Sequence, residues 1–176
     1  MNNDLEIVPC SPDHIETLIT VAQKSYRQYY TYLWTDQAEA YMQRSFSSTT
    51  IRQEIADPNA AFFLAVYQGV PSGFLKLNLN KAMPGFPAIP ALEVERVYLL
   101  QEVSGKGIGR RLIDFAIQQA RNTDKNAVWL KTMDSSTAAG FYERMGFIRF
   151  GTERLSYPEM KEEYRGMIWM KLELGK

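Results

Sequence analysis

The chain has little of the chemistry that builds metal centres or covalent cross-links. Cys10 is the one cysteine in 176 residues, so neither an internal disulfide nor a multi-cysteine metal site forms. His14 is the one histidine, which removes histidine-rich metal clusters and any triad needing a second histidine. Net charge is absent too. Twenty Lys and Arg balance 20 Asp and Glu, whereas dedicated nucleic-acid binders usually carry a basic excess. The longest wholly apolar run, residues 60–66, is far shorter than the roughly 20 residues of a membrane-spanning helix. Residues 1–6 offer neither a basic nor an apolar leader segment. The expectation is a cytoplasmic protein without a nucleic-acid or membrane partner and without a metal.

What is present is an ordinary globular mixture, 45% apolar and 23% charged. The length predicts one domain, residues 1–176, large enough for a core without a staple. Charge is unevenly spread. Residues 1–100 hold 7 basic and 10 acidic side chains, whereas residues 101–131 hold 6 basic and 3 acidic. A short basic segment in a neutral chain suits a small anionic ligand held locally, although solvated faces also vary by chance.

The pattern predicts a strand at 5–8, then a helix from Ser11-Pro12 to about Tyr26 carrying Ile15, Leu18, Ile19 and Ala22 at helical spacing. Helices follow at 37–46, capped by Thr35 or Asp36, and at 48–56, closed by Asp57-Pro58. Residues 61–67 and 73–79 read as a hairpin around turn residues 68–72. Residues 83–90 hold three prolines and a glycine and form a loop. Strand 92–100, amphipathic helix 107–122, strand 127–130, helix 136–145 and strands 147–152 and 165–174 complete the chain. Strands alternating with helices in the second half imply an α/β (α+β) architecture with partly parallel pairing.

Two segments carry chemistry. The first is strand 92–100, the loop Ser104-Gly105-Lys106-Gly107-Ile108-Gly109, and a helix opening on Arg110-Arg111. Glycines let the backbone approach an anion closely, and the helix N-terminus adds about half a positive charge. The loop matches neither the Walker A pattern nor GxGxxG, and three helices and a hairpin precede it, unlike a dinucleotide-binding unit. The second segment is Ala138-Ala-Gly-Phe-Tyr142-Glu-Arg-Met-Gly146-Phe147. Small residues at Ala138 and Gly140 leave room close to that helix. Phe141 and Met145 face the core, and Tyr142 beside them is free to point elsewhere.

In this order, about 30 residues apart, the segments resemble the GNAT superfamily of acetyl-CoA-dependent N-acetyltransferases over nearly the whole chain. LEVERVYL, VWLKTMDSSTAAGFYERMGF and the helical N-terminal region resemble, more narrowly, bacterial PaiA-type spermine/spermidine acetyltransferases. Two positions depart from the family pattern. Ser104 stands where [RQ]-x-x-G-x-[GA] has Arg or Gln, and Ser135 where Asn often opens the later helix.

The resemblance implies a single mixed sheet of about six to seven strands, flanked by helices and splayed between strands 92–100 and 127–130. The co-substrate is then acetyl-CoA. Its pyrophosphate would meet Ser104, Gly105, Lys106, Gly107, Ile108, Gly109 and Arg110. Its pantetheine arm would pair with Val97, Tyr98 and Leu99 and pass Ser135 and Ala138. A backbone N–H near Val97 or Tyr98 would stabilise the developing oxyanion. Tyr142 would protonate the departing thiolate.

Glu93 and Glu95, two apart on one strand, share a face. Either takes the amine proton, directly or through water. Glu95 is the expected base, with Glu93 beside the substrate; both being solvated acids is the plain alternative. Tyr30 and Trp34, within an aromatic cluster from Tyr26 onward, would hold a cationic amine by cation–π contact, with Asp36 and Glu39 nearby. The expected partners are acetyl-CoA and a small amine such as spermidine or spermine, with a homodimer through the last strands. A peptide N-terminal or lysine acetyltransferase and a non-catalytic acyl-CoA sensor are the alternatives. His14 reads as a surface residue and Cys10 as a packed small side chain.

Overall fold

The computed structural model describes residues 4–175. Seven strands form one sheet in the order β1-β2-β3-β4-β5-β7-β6. They are β1 Leu5–Pro9, β2 Ala60–Tyr67, β3 Val70–Asn78, β4 Ala91–Leu99, β5 Ala127–Met133, β6 Ile148–Arg154 and β7 Gly166–Glu173. The helices are α1 Ile15–Tyr29, α2 Glu39–Ser45, α3 Ser48–Ala56, α4 Ile108–Asn122 and α5 Ala138–Arg144. This is the mixed, helix-flanked sheet expected. Only β4 and β5 pair in parallel.

Alternation along the strands divides the core between two faces. Leu75 and Leu77 of β3 pack with Leu112, Ile113, Ala116 and Ala120 of α4. Phe74, one residue before Leu75 and so opposite in phase, packs on the other face with Leu18, Ala22, Tyr26 and Phe46 from the N-terminal helices. Each fully buried Leu or Phe contributes about 1.5–3 kcal/mol, so these contacts, rather than helix propensity, fix the layers.

Several boundaries differ from expectation for local reasons. The hairpin turn is only Gln68-Gly69, both at positive φ (51° and 77°), so β3 begins at Val70. The second helix starts at Glu39 because Gln37 and Ala38 are left-handed, at φ 58° and 69°. Asp36 stabilises that entry by accepting the N–H groups of Ala38 (3.1 Å) and Ala40 (2.9 Å). α1 runs on to Tyr29. β5 extends to Met133 because residues 131–133 pair with β7. Ser136 Oγ accepts the Ala138 N–H (3.2 Å), which delays α5 to Ala138.

The proline-bearing loop after β3 seals the far end of the sheet. Met83 is buried with Trp129, and Phe86 lies edge-on to Phe150 at 6.1 Å. Trp129 Nε1 donates to the Lys81 carbonyl (2.9 Å).

Candidate active site

β4 and β5 pair over four residues only, Ala91–Val94 against Ala127–Leu130. Beyond Val94 they separate, while β4 continues beside β3 to Leu99. The break coincides with a bulge. Lys76 faces Arg96 and Leu77 faces Val94, which leaves Glu95 as the extra residue. The Leu100 N–H donates to Ser72 (2.8 Å) across the β3 side. In an antiparallel ladder alternate residues turn the same way, so Tyr98 also addresses β3. Val97 and Leu99 therefore turn their N–H and C=O groups into the gap. Of the two backbone N–H groups, that of Val97 faces the gap and that of Tyr98 faces β3.

A cleft of about 490 Å³ lies along this edge, lined by Val97, Leu99, Ser104, Gly105, Gly107 and Ile108, with Gly109, Arg110 and Phe141. Gly105 and Gly107 both stand at φ 75°, a conformation glycine adopts without strain. Gly107 caps α4, whose first-turn N–H groups at Ile108, Gly109 and Arg110 lack intrahelical acceptors, an arrangement suited to an anion. Gly109 differs. It lies in regular helix, and a Cβ there would sit 3.6 Å from Leu99 Cδ1 and 3.8 Å from Phe141, ordinary contacts. The fold does not require glycine at this point, although glycine costs about 1 kcal/mol against alanine in a helix. Its bareness serves the cleft.

A second cavity, of about 440 Å³, lies on the side of the N-terminal helices. The two chambers share Tyr30, Val97 and Tyr98. Tyr98 packs edge-on to Tyr26 (5.7 Å), Tyr30 (5.5 Å) and Phe74 (5.4 Å). Trp34 stacks on Tyr41 (4.9 Å) and donates Nε1–H to the Tyr26 hydroxyl (3.0 Å). Tyr142 and Ala138 of α5 line the same cavity. Burial, reinforced by Tyr30, raises the Tyr142 phenol well above its ordinary value, so it keeps its proton at neutral pH.

The two β4 glutamates share a face as expected, and Asn78 Nδ2 donates to both at 2.7 Å. Their surroundings differ. Glu95 pairs with Lys76 (2.8 Å) and Arg96 (3.1 Å), which also bind Glu54 of α3 at 2.8 Å and 2.9 Å. Burial alone would raise the Glu95 carboxyl, but Arg96, Lys76 and Asn78 together hold it below the usual range. Glu93 is 6% exposed, and no lysine or arginine lies within ion-pair distance of it among the described residues. Burial raises its carboxyl, with the Asn78 hydrogen bond opposing.

Other expected contacts fall elsewhere. Lys106 sets its ammonium 5.0 Å over the Tyr67 ring and does not line the cleft. Ser135 Oγ lies 3.3 Å from the Tyr32 hydroxyl, outside both chambers. Asp36 is spent on the α2 entry, and Glu39 is exposed outside the cavity. Burial pushes the Cys10 thiol up to about 11, consistent with an inert packed side chain. His14 Nδ1 accepts the Ser11 N–H (3.0 Å) and finishes the cap before α1. Asn78, Tyr41, Tyr157 and Lys81 line the cavity without a signal in the sequence, because four separate segments bring them together. Among the described residues no group of three or more His, Cys, Asp or Glu is arranged for a metal, and no helix is long and apolar enough to cross a membrane.

Residues 20–147 match the model of the Acetyltransferase (GNAT) family, and the chain belongs to that family. A Lactobacillus delbrueckii subsp. lactis relative, described as an uncharacterized N-acetyltransferase in the pepI 3′ region, is 29% identical over 111 residues. That match spans 62% of this chain and 64% of the relative's length. Among solved structures, the PaiA N-acetyltransferase from Thermoplasma acidophilum in complex with coenzyme A superposes with a TM-score of 0.75 at 21% identity, covering 97% of this chain and 99% of its own. The ribosomal-protein-S18-alanine N-acetyltransferase from Escherichia coli gives 0.71 at 17% identity, covering 98% and 95%. At these identities the likeness is one of fold. The bare Gly109, the paired left-handed glycines and the gap-facing edge of β4 fit coenzyme A.

Proposed function

We propose that this chain is an acetyl-CoA-dependent N-acetyltransferase that moves an acetyl group directly to a primary amine while both are bound. The observation that carries this reading is the meeting of two chambers at Val97, Tyr98 and Tyr30 beside an unpaired strand edge. Bound acetyl-CoA supplies the thioester. The first-turn N–H groups of α4 and the Arg110 guanidinium hold its diphosphate, with Gly105, Gly107 and Ile108 shaping the loop. Ser104 adds only a short side chain there. Val97 and Leu99 hold the pantetheine arm as an added strand would. The Val97 N–H stabilises developing negative charge on the carbonyl oxygen, a type of contact typically worth ~3 kcal/mol.

An alkyl amine with a pKa near ~10 must first lose a proton. Glu93 is the stronger base of the two β4 carboxylates, because Lys76 and Arg96 hold Glu95 ionised and engaged. We therefore assign the base role to Glu93, acting through water, and give Glu95 the task of tying the bulge to α3. Tyr142 keeps a phenolic proton for the departing thiolate. Tyr30 and Trp34 wall the amine.

The aromatic walls favour a cationic amine, so spermidine or spermine is one candidate acceptor. A peptide α-amine is the second reading, favoured by the fold shared with the S18-alanine enzyme. The loop after β3, however, closes onto Phe150 and Trp129 instead of opening a groove beside the cavity. Thiol release from acetyl-CoA across polyamines, amino acids and peptides tests the reading. Coenzyme A binding without release from any acceptor would leave a sensor; absence of binding would remove the proposal.

A further inference from the structure

Three carboxylates and three cations line the acceptor-side cavity: Glu93, Glu95, Glu153, Lys81, Arg96 and Lys131. Most of them are already matched. Lys131 binds Glu153 at 2.8 Å. Glu95 and Arg96 pair at 3.1 Å within the square completed by Lys76 and Glu54. What remains is one carboxylate, Glu93, and one ammonium, Lys81. The Lys81 ammonium makes no hydrogen bond or ion pair among the described residues. Its backbone is fixed at both ends. The N–H donates to Ala91 (3.1 Å), and the carbonyl accepts from Trp129 Nε1 (2.9 Å). The side chain therefore starts two residues from Glu93, at the rim of the same end of the cavity.

A polycation is poorly served by this arrangement. Glu93 has no direct ion pair, only the Asn78 hydrogen bond and the more distant charges of Lys81 and Lys131, and the Lys81 ammonium stands near it without direct contact. A ligand with one amine and one carboxylate would match both. The remaining lining mixes aliphatic side chains, among them Leu33, Met133, Leu155 and Met160, with tyrosine and tryptophan rings and with the polar Asn78 and Thr132. Resting on the transfer reading above, we propose that the acceptor is an amino acid with an apolar or aromatic side chain. Its carboxylate lies against Lys81 and its amine against Glu93 and the junction of the chambers. In the transfer, the amine nitrogen forms the new bond to the acetyl carbon as the carbon–sulfur bond breaks. The ammonium first loses one proton to Glu93 through water, the thiolate takes the Tyr142 proton, and the second nitrogen proton restores the Tyr142 phenol.

The test compares apolar and aromatic amino acids with the same molecules lacking charge on the carboxylate or lacking it altogether. Phenylalanine, phenylalaninamide and phenethylamine form one set; spermidine serves as the polycation. Thiol release should favour phenylalanine over phenethylamine by about tenfold in kcat/KM, since a charge-assisted contact at a rim is worth about one decade. Lys81→Met should bring the pair to within about threefold of each other, mainly through KM for the acid. Lys81→Glu should turn the preference toward spermidine. Equal rates for acid and amine, a preference for spermidine in the parent, or a preference surviving in Lys81→Met would each overturn the amino-acid acceptor and leave acetyl transfer standing. Calorimetry with coenzyme A bound separates the remaining case. Phenylalanine binding without thiol release would keep the ligand class and overturn the transfer reading; absence of both binding and release would overturn the two together.

Discussion

The two chambers are built from different materials. The chamber we assign to the coenzyme is bounded chiefly by one continuous stretch, the free edge of β4, two left-handed glycines and the first turn of α4, with Tyr29, Tyr30 and Phe141 beside it. The chamber we assign to the acceptor is lined by side chains from α1, α2, α5, five strands and the loops between them. Backbone recognition requires a conformation, and glycines mark that conformation in the sequence. Side-chain recognition requires only proximity, which no short motif records. The first chamber therefore suits a ligand shared across a family, and the second can change its ligand one residue at a time.

The contrast is broken most severely at the junction. Tyr142→Phe removes one buried hydroxyl and should lower kcat by about 10²-fold or more, with coenzyme A affinity retained by calorimetry. Equal turnover in the mutant would end the general-acid role. Glu93→Gln should lower kcat about 10²-fold and abolish the acid limb of the kcat/KM profile. In the parent that limb should lie above the ordinary carboxylate range, because burial raises Glu93 and only its ionised form accepts a proton.

Glu95→Gln should instead cost stability, about 2 kcal/mol in denaturant unfolding, by leaving Lys76 and Arg96 short of one partner. The two carboxylates also carry opposite pH linkage. Glu95, held low when folded, stabilises above its unfolded pKa and loses that contribution as pH falls through its folded value. Glu93, raised when folded, favours the folded state most below its unfolded pKa and loses that contribution as pH rises through its folded value. Measuring stability against pH in each Gln variant separates the two.

On the coenzyme side the effects are smaller. Gly107→Ala forces a Cβ onto φ 75° and should cost about 1–2 kcal/mol of stability, together with weaker coenzyme A binding. Gly109→Ala sharpens the comparison most, although its effect is the smallest. It should leave stability equal or higher by up to about 1 kcal/mol while weakening coenzyme A, since the helix accepts a Cβ that the cleft does not. A destabilised Gly109→Ala with unchanged affinity would contradict that division of labour.

The same division explains what was legible in the sequence. The amphipathic period of α4, the loop from Ser104 to Gly109 and the position of Tyr142 were readable because each is local. The splay was implied by family resemblance, and its register became visible only with the strands paired. The bulge shows in the sequence only as the adjacent polar pair Glu95-Arg96, which breaks the alternation of 92–94 without by itself specifying an extra residue in the ladder. It sets Glu95 and Arg96 side by side against Lys76, which is why we assign the base role to Glu93. The left-handed Gln37 and Ala38 carry no glycine or asparagine to announce them, so the sequence pattern starts the second helix two residues before the structure does. Asn78 was silent because its function depends on two carboxylates that lie far along the chain.

The short root shared by β4 and β5 has a consequence for solubility. A free strand edge usually invites another chain to pair with it, and proteins blunt such edges with charge, proline or a cover. Here the unpaired edge lies inside the sheet. Four paired residues close it at one end, and Tyr98, Leu99 and Phe141 narrow it from the sides. A wedge of this depth admits a single extended arm but offers a second protein chain no continuous strand to copy. The molecule can therefore keep this edge open without presenting a seam for aggregation.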